Sequence, residues 1–432
     1  MLGFSFKNFF NYRLLVTEAE EQGGPKPKLS YLEDLIIEKG KDGAGLFVEQ
    51  IQQLIARFKG LDTDQMINAK IDGSPGILFG SDPRKPFRGQ FFIGINRAIV
   101  NAKTPKAVHS EEEIDSMIAN PDLRVVLKEL LNNLKVVFGN SDKIYQGDVL
   151  FTNSSEKVRE KIKGQEYLTF KPNLLTYAVP IDPRSELYNR INNARVGVIL
   201  HDKCIGKTDL TNQQINLQSV GKDYSEIIQN SKQTGNVFIE GSRYDNVAFD
   251  VKDRDFNFLE KSIQRITAIA STISDAFNNQ WTTSPLLNKL HVFIAHQVKR
   301  DDGGIFELSK QKASLDFNQV IEDFQNALLE GYKSASAKEA AKTWIFNNKK
   351  DLSSLLQMFY IVRQVSDMIL DILYKLESKV GKSFVKLPDG SYQVSRGEGF
   401  VLFHGNNHAK LVDRLDFTRS SKLYSKYNTP QQ

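Results

Sequence analysis

The sequence predicts an α+β protein, an antiparallel-sheet domain interrupted by a large helical insertion. Three observations predict it. Short apolar runs separated by turn residues fill Met66 to His201, apolar residues at helical spacing dominate Leu259 to Leu376, and strand texture returns around Asp389-Gly390. With 432 residues, 40% of them apolar and 25% charged, the chain can bury more than one core, which excludes wholesale disorder. The 57 Lys and Arg against 52 Asp and Glu leave a net charge of +5, too mild by itself to indicate a polyanionic partner.

Taken in order, residues 1–24 read as an N-terminal arm whose FKNFF and TEAEE segments look like a short leader, and EQGGPKPK reads as a linker. Leu46, Ile51, Leu54, Ile55 and Phe58 predict an amphipathic helix before Gly60. The runs MINAKI, GILF, QFFIGI, KIYQGDVLF, LLTYAV and RVGVIL predict strands, with a helix over Glu111 to Phe138 and a further hairpin over Val237 to Val251. Stripes beginning at Leu259, Phe317 and Leu352 predict a helical block whose last helix is closed by Gly381 as C-cap. The closing runs FVKLPDGSYQV, EGFVLF and HAKLVDRL then complete the sheet. The expected organisation is a sheet domain of residues 25–251 and 386–427, an inserted helical domain of 252–385, and a tail of 428–432.

No window supplies the roughly 20 uninterrupted apolar residues of a membrane span. The most apolar helical stretch, Leu352 to Leu376, carries Arg363, Asp367, Asp371 and Lys375. A single cysteine, Cys204, excludes an internal disulfide and a cysteine-built zinc cluster, and points to a reducing, cytoplasmic setting. The six histidines form no H-E-x-x-H, no G-x-S-x-G elbow is present, and CIGKTDL has His201 where a phosphate-binding P-loop needs its first glycine.

The chemistry-bearing residues form an ordered series. In INAKIDGSPGILFG, Lys70 ends an apolar run, Asp72 follows at plus two on the same face, and Gly73 permits a tight turn that brings backbone close to a ligand. A K-x-D-G sequence alone also suits a surface turn. Its companions raise its meaning: Arg97 closes QFFIGINR, Asp148 sits in IYQGDVLF, and Phe170 and Tyr177 flank the run YLTFKPNLLTYAVP. Glu398 opens EGFVLF, and Lys410 and Arg414 follow in HAKLVDR. Together they offer a nucleophile, several phosphate-binding cations, acids and an aromatic platform.

On those motifs the sequence resembles the covalent nucleotidyltransferase superfamily of ATP-dependent DNA and RNA ligases and messenger RNA capping enzymes. KIDG looks like its nucleophile motif, INR its arginine motif, QGDVLF its glycine-acid motif, LLTYAV its aromatic strand, EGFV its E-G-x-V motif and AKLV its terminal lysine motif. The wording around KIDGSPGILFG, QGDVLFT and EGFVLF also resembles ligase-related proteins of large tailed bacteriophages, which implies an infected bacterial cytoplasm or packaging into the virion. The resemblance implies that Lys70 attacks the α-phosphate of ATP and that neighbouring cations and a metal lower its pKa. It implies ribose contacts from Arg97 and Asp148, adenine stacking on Phe170 or, by preference, Tyr177, and nucleotide contacts from Asp72 and Gly73. Glu398 would hold Mg²⁺, with Mn²⁺ as the alternative metal, and Lys410 would touch the α-phosphate. Two departures stand out: Asp148 replaces the usual Glu, and the second lysine of the last motif is missing, with Arg414 as its stand-in.

The implied activity joins a 5′-phosphate end to a 3′-hydroxyl end, with RNA favoured over DNA because only 22 residues follow Lys410, too few for a C-terminal OB domain. Two basic stretches suit nucleic acid: Arg414, Arg419, Lys422 and Lys426 interleaved with Phe417, Tyr424 and Tyr427, and Lys157, Arg159, Lys161, Lys163 and Lys171. A solvated charged face explains either equally well. AMP transfer to a protein or other acceptor, and a noncatalytic phage assembly role, are the alternatives.

Overall fold

The computed structural model describes residues 30–95, 99, 106–153, 156–173, 175–205, 216–219, 223–244, 247–281, 283–298, 315–387, 389–396, 398–404, 407–414 and 416. Arg97, the N-terminal arm, Gly206-Lys207-Thr208 and the basic tail from Phe417 onward lie outside the described residues. The architecture is α+β with largely antiparallel sheets. In chain order the strands are β1 (Met66–Ala69), β2 (Gly76–Ser81), β3 (Phe91–Ile95), β4 (Ile144–Phe151), β5 (Val158–Ile162), β6 (Gln165–Phe170) and β7 (Thr176–Pro180). They continue with β8 (Val196–Ile205), β9 (Asn216–Ser219), β10 (Val237–Gly241), β11 (Lys382–Lys386), β12 (Tyr392–Ser395), β13 (Phe400–His404) and β14 (Asn407–Leu411).

The chain divides into two units. One comprises the described parts of Met1–Asn68, Tyr244–Leu376 and Gly399–Arg419; the other comprises those of Ala69–Arg243 and Glu377–Glu398. This differs from the expected insertion of residues 252–385 into a single sheet domain. The reason is the first helix, Asp34–Phe58, which packs against Asp253–Thr272 and Lys349–Leu373 and so joins the helical block. Lys349–Leu373 buries Leu352, Leu355, Phe359, Val362, Ile369 and Leu373, the stripe its spacing predicts. It ends at Tyr374, so Gly381 is no helix cap; with φ of +91° it starts β11 where a Cβ would lie 2.5 Å from the Ala178 carbonyl oxygen.

The Asp34–Phe58 helix is kinked at Gly40, whose φ is +58°. The kink parts Ile37 O from Lys41 N, which are i, i+4 partners in a regular helix, and both groups find replacements. Trp281 Nε1 donates to Ile37 O at 3.0 Å, and Lys41 N donates to Asn278 Oδ1 at 3.0 Å. Within this unit β1, β13 and β14 form a three-stranded sheet.

The other unit is layered. A six-stranded sheet runs β10-β8-β4-β2-β3, with β9 on β8; only the β8–β10 pair is parallel among those registered. Alternation sends Ile77, Phe79, Tyr145, Val149, Val198 and Leu200 to one face, where the helix Pro121–Phe138 covers them with Leu127, Leu130, Leu131, Leu134 and Phe138. The single helix expected over Glu111 to Phe138 is two, because Pro121 occupies the first turn of the second and Asn120 caps it, accepting from Asp122 N and Leu123 N. The opposite face, carrying Phe151, Ile199 and Phe238, packs on Leu168, Phe170, Tyr177, Val179 and Val385 of a five-stranded antiparallel sheet ordered β12-β11-β7-β6-β5. Gly390, with φ of +79°, makes the expected hairpin turn between β11 and β12. Among the described residues of the hairpin expected over Val237 to Val251, only β10 is a strand.

Candidate functional site

The second unit brings Lys70, Asp72, Asp148 and Glu398 into one cluster. Ile71 is the anchor: its side chain is buried in the core between the two sheets, so Lys70 and Asp72, its neighbours on either side, face away from that core. The loop after Asp72 is fastened to β4, with Ser74 N donating to Val149 O at 2.9 Å and Val149 N to Pro75 O at 3.1 Å. Gly73 N donates to Asp148 Oδ2 at 3.3 Å. Only glycine fits at that position, since a Cβ on residue 73 would stand 2.3 Å from the Val149 carbonyl oxygen. Glu398 lies in the loop after β12 and precedes Gly399, whose φ is +90°.

Lys70 Nζ donates to Asp72 Oδ2 and, at 2.7 Å, to Glu398 Oε2. The Glu398 carboxyl is almost wholly enclosed, while 20% of the Lys70 side chain is exposed, so the lysine is reachable. Burial alone would lower the Lys70 pKa, but the Asp72 and Glu398 carboxyls outweigh it and hold it above the usual lysine value. The expectation that neighbouring cations depress it is therefore reversed in this structure: its neighbours are acids. Glu398 is pushed up to about 9, first by burial and then by Asp72, with which it shares a hydrogen bond. Burial also opposes Asp72 ionisation, but the hydrogen bond from Glu398 and the Lys70 charge outweigh it and hold Asp72 below the usual carboxylate range. At neutral pH the trio is thus one ammonium, one carboxylate and one carboxylic acid.

Asp72 and Glu398 offer the hard carboxyl oxygens a divalent ion takes, and in this structure both are engaged by Lys70 Nζ. Backbone approaches closely at Gly73, and at Gly76 a Cβ would lie 3.1 Å from Asp148 Oδ1.

The remaining expected residues divide. Phe170 and Tyr177 pair across β6 and β7 with ring centroids 5.7 Å apart, and both lie in the core, Phe170 also packing edge-on to Phe151 at 5.2 Å. Neither ring presents a face for adenine in this conformation. The buried Tyr177 hydroxyl approaches the Asp72 backbone amide without meeting hydrogen-bond geometry, and burial and then the Glu398, Asp72 and Asp148 carboxyls push its pKa well above the usual tyrosine range. Lys410 lies on β14 in the other unit, its backbone bonded to Ser30 O and Leu32 N at 2.9 and 2.8 Å. Arg414, also there, is not a phosphate contact but a buried ion-pair residue: Nη1 meets Asp34 Oδ1 at 2.7 Å and Glu33 Oε1 at 3.3 Å. Asp34, Glu38 and His291 offer three ligand atoms within 4.8 Å of one another, but Asp34 already neutralises Arg414. In the expected basic run, Lys157 is spent on the C-terminus of the helix Glu186–Asn193, donating to the Ile191, Asn192 and Ala194 carbonyls, and burial pushes it down to about 8.

One neighbour escaped sequence reasoning. His201 Nε2 lies 3.2 Å from Asp148 Oδ2, and its charge also acts on Asp72. The only available signal was a polar residue directly after the apolar run VGVIL.

No helix among the described residues is long and apolar enough to cross a membrane. No curated protein and no solved structure matches the chain. A family model covers residues 27–425, a span that takes in both units and every residue of the Lys70 cluster. The chain therefore belongs to the family of unknown function DUF6267.

Proposed function

We propose that this chain is a covalent nucleotidyltransferase, an ATP-dependent polynucleotide ligase acting through Lys70 in a nucleotidyltransferase fold. The observation that carries the reading is the meeting of Lys70 with Asp72 and Glu398. Lys70 and Glu398 are 328 residues apart in sequence, yet they form a 2.7 Å ion pair beside a glycine-bounded loop and Asp148. An ordinary surface turn has no use for a buried acid brought from the far end of the chain.

In this reading Lys70 leaves its two acids and attacks the α-phosphorus of ATP. A nitrogen–phosphorus bond forms, the α–β bridging P–O bond breaks, pyrophosphate departs, and two protons pass from the ammonium to solvent. Asp72 and Glu398 would hold a divalent ion, which would supply Lewis acidity toward the phosphates. Asp148 accepts from a ribose hydroxyl. The adenylate then passes to a 5′-phosphate end, and a 3′-hydroxyl displaces AMP, with RNA the favoured acceptor. The phage resemblance makes an infected bacterial cytoplasm the setting.

The test is incubation with α-labelled ATP and Mg²⁺ or Mn²⁺, followed by denaturing electrophoresis. The wild type acquires covalent label and Lys70→Ala acquires none. Wild type that stays unlabelled with both metals, or a Lys70→Ala protein that labels, overturns the reading. Chasing labelled enzyme with 5′-phosphorylated RNA, nicked DNA or protein identifies the acceptor.

A further inference from the structure

The β4–β8 ladder contains an irregularity that places a residue at the site. Gln146 pairs with Asp202, but the next residue, Gly147, pairs with Leu200, so His201 is the extra residue of a β-bulge. Bulges bend a strand locally and re-aim the side chain that carries them. Asp148 stands opposite Ile199, and His201 is two residues beyond Ile199, which puts Asp148 and His201 on one face of the sheet. Gly147 makes the approach feasible: a Cβ there would lie 2.6 Å from the Ile199 carbonyl oxygen.

The consequence is a carboxylate held from two sides. Asp148 Oδ2 faces both Gly73 N at 3.3 Å and His201 Nε2 at 3.2 Å. Holding Oδ2 fixes Oδ1 over Gly76, in the loop that follows Lys70 and Asp72. Both side chains are partly open, 21% for Asp148 and 24% for His201, so a ligand reaches them. An aspartate is one methylene shorter than a glutamate and has less freedom to swing toward a ligand; a second polar contact on Oδ2, 3.2 Å from His201 Nε2, makes that short reach usable.

We propose that His201 is a positioning residue for the nucleotide sugar, orienting Asp148 so that Oδ1 accepts from a ribose hydroxyl. This rests on the reading of the Lys70 cluster as an ATP site. A partly exposed ion pair with no such role would contribute only to stability, and little of that.

The experiment compares ATP with 2′-deoxy- and 3′-deoxy-ATP as donors for Lys70 labelling in wild type, His201→Ala, His201→Leu and His201→Gln. The wild type discriminates against at least one deoxy donor by roughly ten-fold, the worth of a hydrogen bond to a charged acceptor. In His201→Ala and His201→Leu the KM for ATP rises by about the same factor, kcat stays within about two-fold, and the discrimination collapses toward unity. His201→Gln, which keeps a donor at similar reach, retains it. If Ala leaves the protein unfolded, Leu carries the comparison at similar volume. A labelled wild type whose discrimination survives both Ala and Leu overturns the role of His201 alone; a wild type that never labels removes the ATP reading and this inference with it.

Discussion

Gly73→Ala tests the architecture of the cluster independently of any ligand. A Cβ on residue 73 would lie 2.3 Å from Val149 O, 2.8 Å from Val149 C and 3.0 Å from Asp148 C, all of them backbone. Ordinary carbon–oxygen contact needs about an ångström more than the shortest of these. Nothing soft is available to yield, because Val149 O is bonded to Ser74 N at 2.9 Å and Val149 N to Pro75 O at 3.1 Å. The loop must part from β4, straining or losing those two hydrogen bonds, each worth about 1 kcal/mol, on top of an overpacking cost of about 1–3 kcal/mol. We expect a loss of roughly 2–5 kcal/mol in urea denaturation, read by circular dichroism as a lower midpoint at unchanged m. Gly45→Ala is the internal control. That glycine sits inside the helix Asp34–Phe58 with nothing within 4 Å of a new Cβ, so alanine is expected to stabilise by up to about 1 kcal/mol. A Gly73→Ala protein within about 0.5 kcal/mol of wild type would refute the close approach of loop and strand.

Two further outcomes follow from buried charge. Arg414→Leu strands Asp34 and Glu33 in the interior without their cation and is expected to cost about 3–5 kcal/mol in urea denaturation; a loss below 1 kcal/mol would show that the guanidinium is not the partner on which they depend. His109 places Nε2 at 2.9 Å from Asp82 and Nδ1 at 2.9 Å from Glu113, beneath a stacked Phe87 ring. Burial would lower its pKa, but the hydrogen bonds to the two acids prevail and raise it above the ordinary 6.5. A raised histidine pKa stabilises fully below the unfolded value near 6.5 and ceases to do so as pH climbs through the folded value. Wild type should therefore lose stability relative to His109→Phe as pH rises from about 6 to 9, and a pH-independent difference between the two would contradict the clamp.

Much of the fold was legible because it rests on local pattern. The strand runs, the Asp389-Gly390 turn and the stripe from Leu352 follow from alternation, turn chemistry and helical spacing, which neighbouring residues determine. The grouping of Lys70, Asp72, Asp148 and Glu398 was legible only as motif order, since nothing in KIDG says which distant acid will meet it. What escaped depended on tertiary partners. The helix Asp34–Phe58 looked like part of the sheet domain because its apolar face names no partner. Phe170 and Tyr177 looked like a platform because an aromatic strand reads alike whether one face is covered or both. The place of His201 turns on one residue of register, which alternation cannot foresee.

Arg414 and Lys70 make the sharpest contrast. Each is a cation between two acids, and the sequence presents Lys70 as a nucleophile and Arg414 as a phosphate contact. Arg414 contacts Asp34 and Glu33 with only 3% of its side chain exposed and lies over the Tyr31 ring at 4.4 Å. A guanidinium does not release its proton in proteins, so Arg414 cannot become a nucleophile, and Asp34 and Glu33 already engage it. Lys70 has the same charge arrangement with a fifth of its side chain open, on an amine that becomes a nucleophile once deprotonated. Its two acids also differ in protonation, with Glu398 pushed up to about 9 and Asp72 held low, so the site stores a proton as well as a charge. Burying such a trio costs more than a hydrophobic replacement of equal volume would. A chain that needed only a fastened loop at Asp72 already has one in the backbone bonds to Val149. A partly exposed lysine between unequal acids thus sets this cluster apart from the enclosed Arg414.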